Sequence, residues 1–383
     1  MDSKSQSIYH DLLSRITRGD LAGKTSLPTE EVLTKQYDCS RPTLRKALNE
    51  LKQAGIVNTV RGSGVYITVP AGLNGPADGG NLFAIIFPDL GPGHFSGPIC
   101  SLLAQYTSAH GDSLVWGGYI SPKSAMLKTD TRRICERYIS QKIAGLFFSP
   151  FEYHEKAGLI NREIAAIISG AGIPIVLIDS NIQAYPAANE FDLVSMDHIH
   201  ASYILTEHII AQGFRRIFFL APPDSRHTIK LRLIGYHAAL IAHDLPPEGL
   251  VESSDGDAAL LSHFIRSKKP DALICSNDIT AIGVINSLEK LGLQVPGDLA
   301  VAGFDYLSKA IPFVRPITSI EQPMEAIAQT ALSLMLDRIE DPKKTATHIT
   351  FPGKLISEIT TARSVPVKKP PLHRVPPRSP QLT

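Results

Sequence analysis

Four residues in the stretch CSRPTLR, residues 39–45, carry chemistry suited to a nucleic acid: Ser40, Arg41, Thr43 and Arg45. Arg41 and Arg45 stand four apart, so on a helix they share a face, and Thr43 lies on a neighbouring edge of the same end. A guanidinium suits guanine O6 and N7, while hydroxyls and a helix N-terminus reach phosphates. Two arginines four apart also fit a plain solvated helix face, so the flanking sequence has to decide. A second set of polar residues lies far downstream, at the ends of short apolar runs. Asp179 closes PIVLID, Asn277 and Asp278 close ALICSND, Asp305 closes VAGFD, and Arg232 stands in KLRLIGY. Carboxylates, an amide and a guanidinium converging on one cleft bind hydroxyls in pairs, as sugars and nucleosides require. Asp278 reads as the N-cap of ITAIGVINSLEK rather than a ligand contact, and Asp179 equally as a cap or a brace for a hinge loop.

The elements that must position the first set are short. IYHDLLSRITRGDL puts Ile8, Leu12, Leu13 and Ile16 on one helical face. Thr29 is placed to cap a second helix anchored by Leu33, and Ser40 to cap a third carrying Leu44, Leu48 and Leu51. Two helices joined across YDCS have the dimensions of a helix-turn-helix. Behind them IVNTV and GVYITV flank RGSG, a β-hairpin with glycines at its tip, and the combination is a winged helix. In the wing, Gly62 and Gly64 let the backbone approach a sugar-phosphate chain, and Arg61 supplies charge. Residues 1–70 hold ten basic and seven acidic side chains, a margin too small to decide anything, so placement carries the reading.

From Leu82 the texture becomes apolar runs alternating with amphipathic helices: LFAIIF, DSLVWGG, GLFFS, PIVLID, RIFFLA, DALICS and LAVAGF. Such alternation predicts parallel sheets with helices on both faces, split at this length into two lobes. Gly213 and Gly292 stand where helices should end. The expected organisation is a winged helix over 1–70, a linker over 71–81, a two-lobed domain over 82–363 and a basic, Pro-rich, disordered tail over 364–383.

The whole chain of 383 residues is 43% hydrophobic and 20% charged with a formal net charge of +1, a soluble globular balance in which nucleic-acid affinity must come from local patches. No stretch approaches the ~20 apolar residues of a membrane span, and MDSKSQSIYHDLL has no signal pattern, so a cytoplasmic protein is expected. The four cysteines are scattered without a CxxC pair, which fits free thiols. No G-x-S-x-G, Walker A, G-x-G-x-x-G after a strand, or H-E-x-x-H occurs. His198 and His200 form an HxH with no further ligand at metal spacing, and exposed polar roles at a helix start account for them. No metal, cofactor or catalytic residue is assigned.

The segment LPTEEVLTKQYDCSRPTLRKALNELKQAGIVNTVRGSGVYI resembles the winged helix-turn-helix of GntR-type bacterial transcription regulators. That resemblance implies operator contacts from Ser40, Arg41, Thr43 and Arg45, with Gly62 and Gly64 at the wing tip. Glu31 departs from it, standing where many members carry a phosphate-binding Arg. KLRLIGYHAAL, ALICSNDITAIGVINSLEKLGLQVPGDLAVAGFD and PITSIEQPMEAIAQTAL resemble the effector domain of LacI-type repressors, itself similar to periplasmic sugar-binding proteins. This second resemblance implies two lobes joined by three crossovers, ligand between them and dimerisation through the domain. It also implies effector contacts from Arg232, Asn277, Asp305 and Asp179, with His94 and Phe95 in the first-lobe contact region. Phe151 and Tyr153 are open between an aromatic wall and core packing. Glu358 replaces the family's Arg near the last strand, and Tyr306 a frequent acidic residue.

A GntR-type reader fused to a LacI-type sensor resembles the arabinose-repressor arrangement. It implies a homodimeric regulator, a repressor by that resemblance, with operator DNA and a sugar-like effector as partners. The alternative is an enzyme acting on a sugar or nucleoside with a DNA-binding appendage, for which Asp179 and Asp305 are the candidate acid and base.

Overall fold

A computed structural model of the chain describes residues 4–17, 27–53, 57–60, 64–67, 80–88, 95–117, 127–152, 155–183, 185–187, 190–223, 225, 227–253, 258–307 and 316–362. Of the expected linker only Gly80 and Asn81 are among them; the tail, Arg61, Gly62, His94 and Tyr153 lie outside.

The N-terminal unit is α1 (Lys4–Thr17), α2 (Glu30–Gln36), α3 (Arg41–Gln53), β1 (Val57–Val60) and β2 (Gly64–Ile67), the strands paired antiparallel. Ile8, Leu12, Leu33, Leu44, Leu48 and Leu51 meet in one buried cluster with Tyr9 and Val57. The helical spacing read from the sequence is therefore what closes this small core; the side chains of Leu13 and Ile16 lie outside the described set. Thr29 caps α2, accepting from the Val32 N–H at 3.4 Å. Ser40 does the same for α3, its Oγ accepting from the Thr43 N–H at 3.3 Å. Gly64 is not in the turn of the hairpin: it opens β2, opposite Val60.

Two six-stranded sheets follow. The first has the order β13-β7-β6-β5-β3-β4 and is parallel throughout. It comprises β3 (Leu82–Ile86), β4 (Ser113–Trp116), β5 (Gly145–Phe148), β6 (Ile175–Ile178), β7 (Asp192–Met196) and β13 (His348–Phe351). The second has the order β14-β12-β11-β10-β8-β9, parallel except for β14. Its strands are β8 (Ile217–Ala221), β9 (Leu250–Glu252), β10 (Ala272–Cys275), β11 (Ala300–Phe304), β12 (Thr318–Glu321) and β14 (Lys354–Ile356). All seven apolar runs named above are strands. All but β4, which lies at a sheet edge and is partly exposed, are buried on both faces, as parallel strands flanked by helices must be.

Helices α4 (Ser96–Ala109), α5 (Leu127–Ser140), α6 (Ala157–Gly170) and α11 (Met324–Glu340) cover the first sheet, and α7 (His198–Ala211), α8 (His227–Ala242), α9 (Ala258–Lys268) and α10 (Asp278–Lys290) the second. Gly213 and Gly292 end α7 and α10 at φ +90° and +76°, the left-handed turn that a side chain resists. The chain crosses between sheets three times: from β7 into α7, from β12 into α11, and from β13 to β14.

Where α7 and α8 pack, a Cβ on Gly235 would stand 2.0 Å from the Ile199 carbonyl oxygen. Backbone cannot swing aside as a side-chain tip can. Gly235→Val is therefore expected to destabilise the second lobe by at least about 2 kcal/mol, read as a lowered midpoint in urea unfolding.

Candidate effector cleft and DNA-reading head

The carboxyl ends of parallel strands are where open α/β sheets leave a crevice, because adjacent loops there diverge to opposite faces. Asp179 follows β6, Asp305 follows β11, and both adopt positive φ, +70° and +95°. Non-glycine residues held there cost strain, and here each carboxylate is tied into one buried polar chain. Asp179 Oδ1 lies 3.1 Å from His198 Nε2. Arg232 donates from Nε to His198 Nδ1 at 3.3 Å. That leaves Nε2 as the protonated nitrogen, donating to Asp179. Arg232 also donates from Nη1 to the Ser276 carbonyl, stacks 4.3 Å from the Phe304 ring centroid, and places Nη2 3.7 Å from Asp305 Oδ1. Asp305 in turn accepts from Gln322 Nε2 at 2.7 Å.

This chain threads both lobes and two of the three crossovers. Asp179 belongs to the first lobe, His198 opens the helix after the first crossing, Arg232 and Asp305 belong to the second lobe, and Gln322 sits at the second crossing. His198 is 1% exposed and Arg232 3%. His198 does start α7, but the exposed role expected of it is wrong: it is a buried link between a carboxylate and a guanidinium. Burial pushes the Asp179 carboxyl up, but the His198 N–H donated to it and the nearby Arg232 guanidinium outweigh this and hold it below the ordinary carboxylate range.

The cap read for Asp278 falls on Asn277. Asn277 caps α10, its Oδ1 accepting from the Thr280 N–H at 2.9 Å. Asp278 is the first helical residue, buried, and accepts from Ser319 Oγ at 2.8 Å and the Leu307 N–H at 2.9 Å. It holds the loop after β11 against α10, and Gly303 leaves room for it, since a Cβ there would stand 2.2 Å from Asp278 Oδ1. Burial and the nearby Asp305 push the Asp278 carboxyl well up. Phe95 flanks α4 and packs on the first-lobe cluster built from α4, α11 and the sheet. Phe151 is a core residue, 1% exposed, its backbone paired both ways with the Asn161 side-chain amide.

One residue passed over in the sequence stands between the two aromatics that drew attention. Glu152 accepts at Oε1 from Ser180 Oγ and, across the cleft, from the Thr228 N–H of α8 at 3.4 Å. Its Oε2 is buried without a partner, as are His227 Nδ1 and Gln322 Oε1. Glu152 and His227 border a cavity of about 110 Å³ whose walls come from both lobes. Burial raises the Glu152 carboxyl to about 7, with Asp179 adding to the shift and Ser180, Thr228 and Arg232 opposing it. Burial lowers His227 to about 4, so its imidazole is neutral near pH 7. The only sequence signal for Glu152 was its place just after a buried strand.

In the reading head, Arg41 and Arg45 are exposed on the first turns of α3. Ser40 Oγ and Thr43 Oγ1 lie 2.8 Å apart at the same helix end. Arg45 rests on Glu30, its Nε 3.1 and 3.2 Å from the two carboxylate oxygens. Glu31, the acidic departure, is paired with Lys35 at 2.9 Å. Both ion pairs are exposed and hold their partners weakly.

Residues 4–67 match the model for bacterial regulatory proteins of the gntR family. Residues 206–361 match that of a periplasmic binding protein-like domain. The HTH-type transcriptional repressor PurR of Proteus mirabilis (strain HI4320) is 29% identical over 197 residues, which are 50% of this chain and 57% of that protein. The chain thus spans little more than half the length of the PurR relatives it matches. The arabinose metabolism transcriptional repressor of Geobacillus stearothermophilus is 24% identical over 354 residues, 88% of this chain and 91% of that one. Among solved structures, a transcriptional regulator CelR–cellobiose complex superposes with a TM-score of 0.62 at 20% identity, covering 91% of this chain and 99% of that one, which shows a shared fold. The chain joins a gntR-type helix-turn-helix to a two-lobed periplasmic binding protein-like domain.

Proposed function

We propose that this protein is a ligand-controlled transcription regulator, a repressor that binds operator DNA as a homodimer in the cytoplasm and senses a sugar-like molecule between its lobes. The observation that carries the reading is one chain holding both a gntR-type head and a hinge-spanning cleft of buried, partly unpartnered polar groups. Ser40, Arg41, Thr43 and Arg45, with Arg61, Gly62 and Gly64 of the wing, are the proposed DNA contacts. Asp179, Arg232, Asn277 and Asp305, with His94 and Phe95 from the first lobe, are the proposed effector contacts.

The names of the relatives support this direction: two are transcriptional repressors, one of arabinose metabolism, and the solved neighbour holds cellobiose. No enzyme family is among these matches, and the cleft carboxylates are engaged structurally. Asp179 is held by His198 and Asp305 by Gln322 and Arg232. Neither is placed as a free general acid or base, so the protein is read as a sensor and not an enzyme. Among the described residues no helix is long and apolar enough to cross a membrane.

Two recognition helices in a dimer enter successive major grooves about one helical turn apart. Effector binding between the lobes shifts the hinge and so the spacing of the heads, by no more than its differential affinity for the two arrangements. Selection of bound fragments from a random DNA pool tests the reading. A two-fold symmetric site with half-sites roughly one turn apart supports it; recovery of unrelated fragments, bound only at low salt, contradicts it.

A further inference from the structure

The effector class follows from which groups the cleft leaves unsatisfied, and rests on reading that cleft as the sensing site. The strongest natural seat for a ligand phosphate or carboxylate would be the N-terminus of α8, where backbone N–H groups point outward with positive partial charge. That seat is filled. Glu152 of the opposite lobe already accepts from the Thr228 N–H there, and its second oxygen, Oε2, faces inward without a partner. Among the described residues at the cleft, the other unpartnered atoms are Gln322 Oε1, an acceptor, and Nδ1 of a neutral His227. Arg232, the one buried cation among the described residues, is spent on His198, Ser276 and Asp305. Lys230 and Arg162 border the cavity but stand in solvent. An anion entering would meet Glu152, Asp179 and Asp305 with no buried cation left among the described residues to pair with it.

We propose that Glu152 is the specificity-determining residue of the cleft: it selects an uncharged, hydroxyl-bearing ligand that donates to Oε2, and it rejects phosphorylated and carboxylated analogues. A hydroxyl donates best to an ionised carboxylate, a charge-assisted hydrogen bond. Binding therefore depends on the proton at Glu152. The groups facing it are Asp179 at the end of β6, His198 at the start of α7, and His227 and Arg232 on α8. Of these, Asp179 is held below the ordinary carboxylate range and His227 is lowered to about 4. With the Glu152 carboxyl at about 7, its ionised fraction falls about tenfold from pH 8 to pH 6, and affinity for the ligand falls with it, by up to about tenfold. Without ligand the sign reverses. A carboxyl whose folded value is raised favours folding at low pH, and that contribution is lost as pH rises through about 7.

The experiment uses the full chain, wild type and Glu152→Gln, with matched probes at pH 6 and pH 8, read by calorimetric titration and thermal shift. The pairs are D-ribose and ribose 5-phosphate, L-arabinose and arabinonate, cellobiose and cellobionate, and adenosine and its 5′-monophosphate. The expected result is a neutral member binding at least tenfold tighter than its anionic partner and weakening toward pH 6. In Glu152→Gln both the charge preference and the pH slope should flatten, and the ligand-free melting point should lose its decline through pH 7. An anionic member binding as tightly as its neutral partner in the wild type overturns the proposal, as does a pH slope that survives in Glu152→Gln. Should that variant fail to fold, the wild-type ranking and slope still decide. If no probe of either charge binds, the sensing reading itself falls and the proposal with it.

Discussion

Arg41→Ala and Arg45→Ala are each expected to weaken binding to the selected operator by about 10- to 100-fold, measured by fluorescence anisotropy at fixed salt. One bidentate arginine–guanine contact carries about 1–3 kcal/mol of discrimination. The loss should fall on the selected sequence and leave non-specific binding nearly unchanged, because a base contact carries sequence information and a phosphate contact does not. Arg45 has a further signature. In the free protein it rests on Glu30, so DNA binding must first break an exposed ion pair worth at most about 1 kcal/mol. Glu30→Gln removes that competitor and is expected to tighten operator binding several-fold. If the alanine variants weaken all DNA equally, these arginines touch only phosphates and the recognition role is wrong.

Arg232→Ala should destabilise the two-lobed domain by about 3–5 kcal/mol, the range for removing one partner of a buried ionic pair. The guanidinium is 3% exposed and joins His198, the Ser276 carbonyl, Asp305 and the Phe304 ring. Its loss leaves a buried carboxylate and a buried carbonyl short of their donors. Arg232→Lys should recover little, since an ammonium cannot span acceptors set around a planar fork. Urea unfolding of the variant is the check. A midpoint within experimental error of wild type would mean that solvent reaches the network and that Arg232 is free for ligand alone.

The fold was legible where periodicity is strong. Seven apolar runs are strands, and the leucine spacing of α3 closes the core of the head as read. Strands β7, β9, β12, β13 and β14 went unread: β9, β13 and β14 lie at sheet edges, where exposed residues dilute the apolar signal, and polar residues interrupt the apolar run in β7 (Asp192, Ser195) and β12 (Thr318, Ser319, Glu321). The candidate site was legible as strand-end polar residues, but not in its wiring. Whether Asn277 or Asp278 caps α10 depends on a one-residue shift that spacing cannot resolve. His198 looked like half of an exposed pair because its partners, Asp179 and Arg232, lie 19 and 34 residues away in sequence. Glu152 was hidden between two aromatics, and only the approach of α8 from the other lobe makes it a cleft residue.

The central claim is that the cleft and the reading head are coupled on one chain. The most direct test is the dissociation constant of the full chain for its selected operator, measured across a titration of whichever neutral sugar or nucleoside the calorimetric screen identifies. The account predicts a saturable change of about 5- to 150-fold, the span of ordinary allosteric coupling, with its midpoint between the ligand's binding constants for the free and the DNA-bound protein. An operator affinity unchanged at saturating ligand would contradict it.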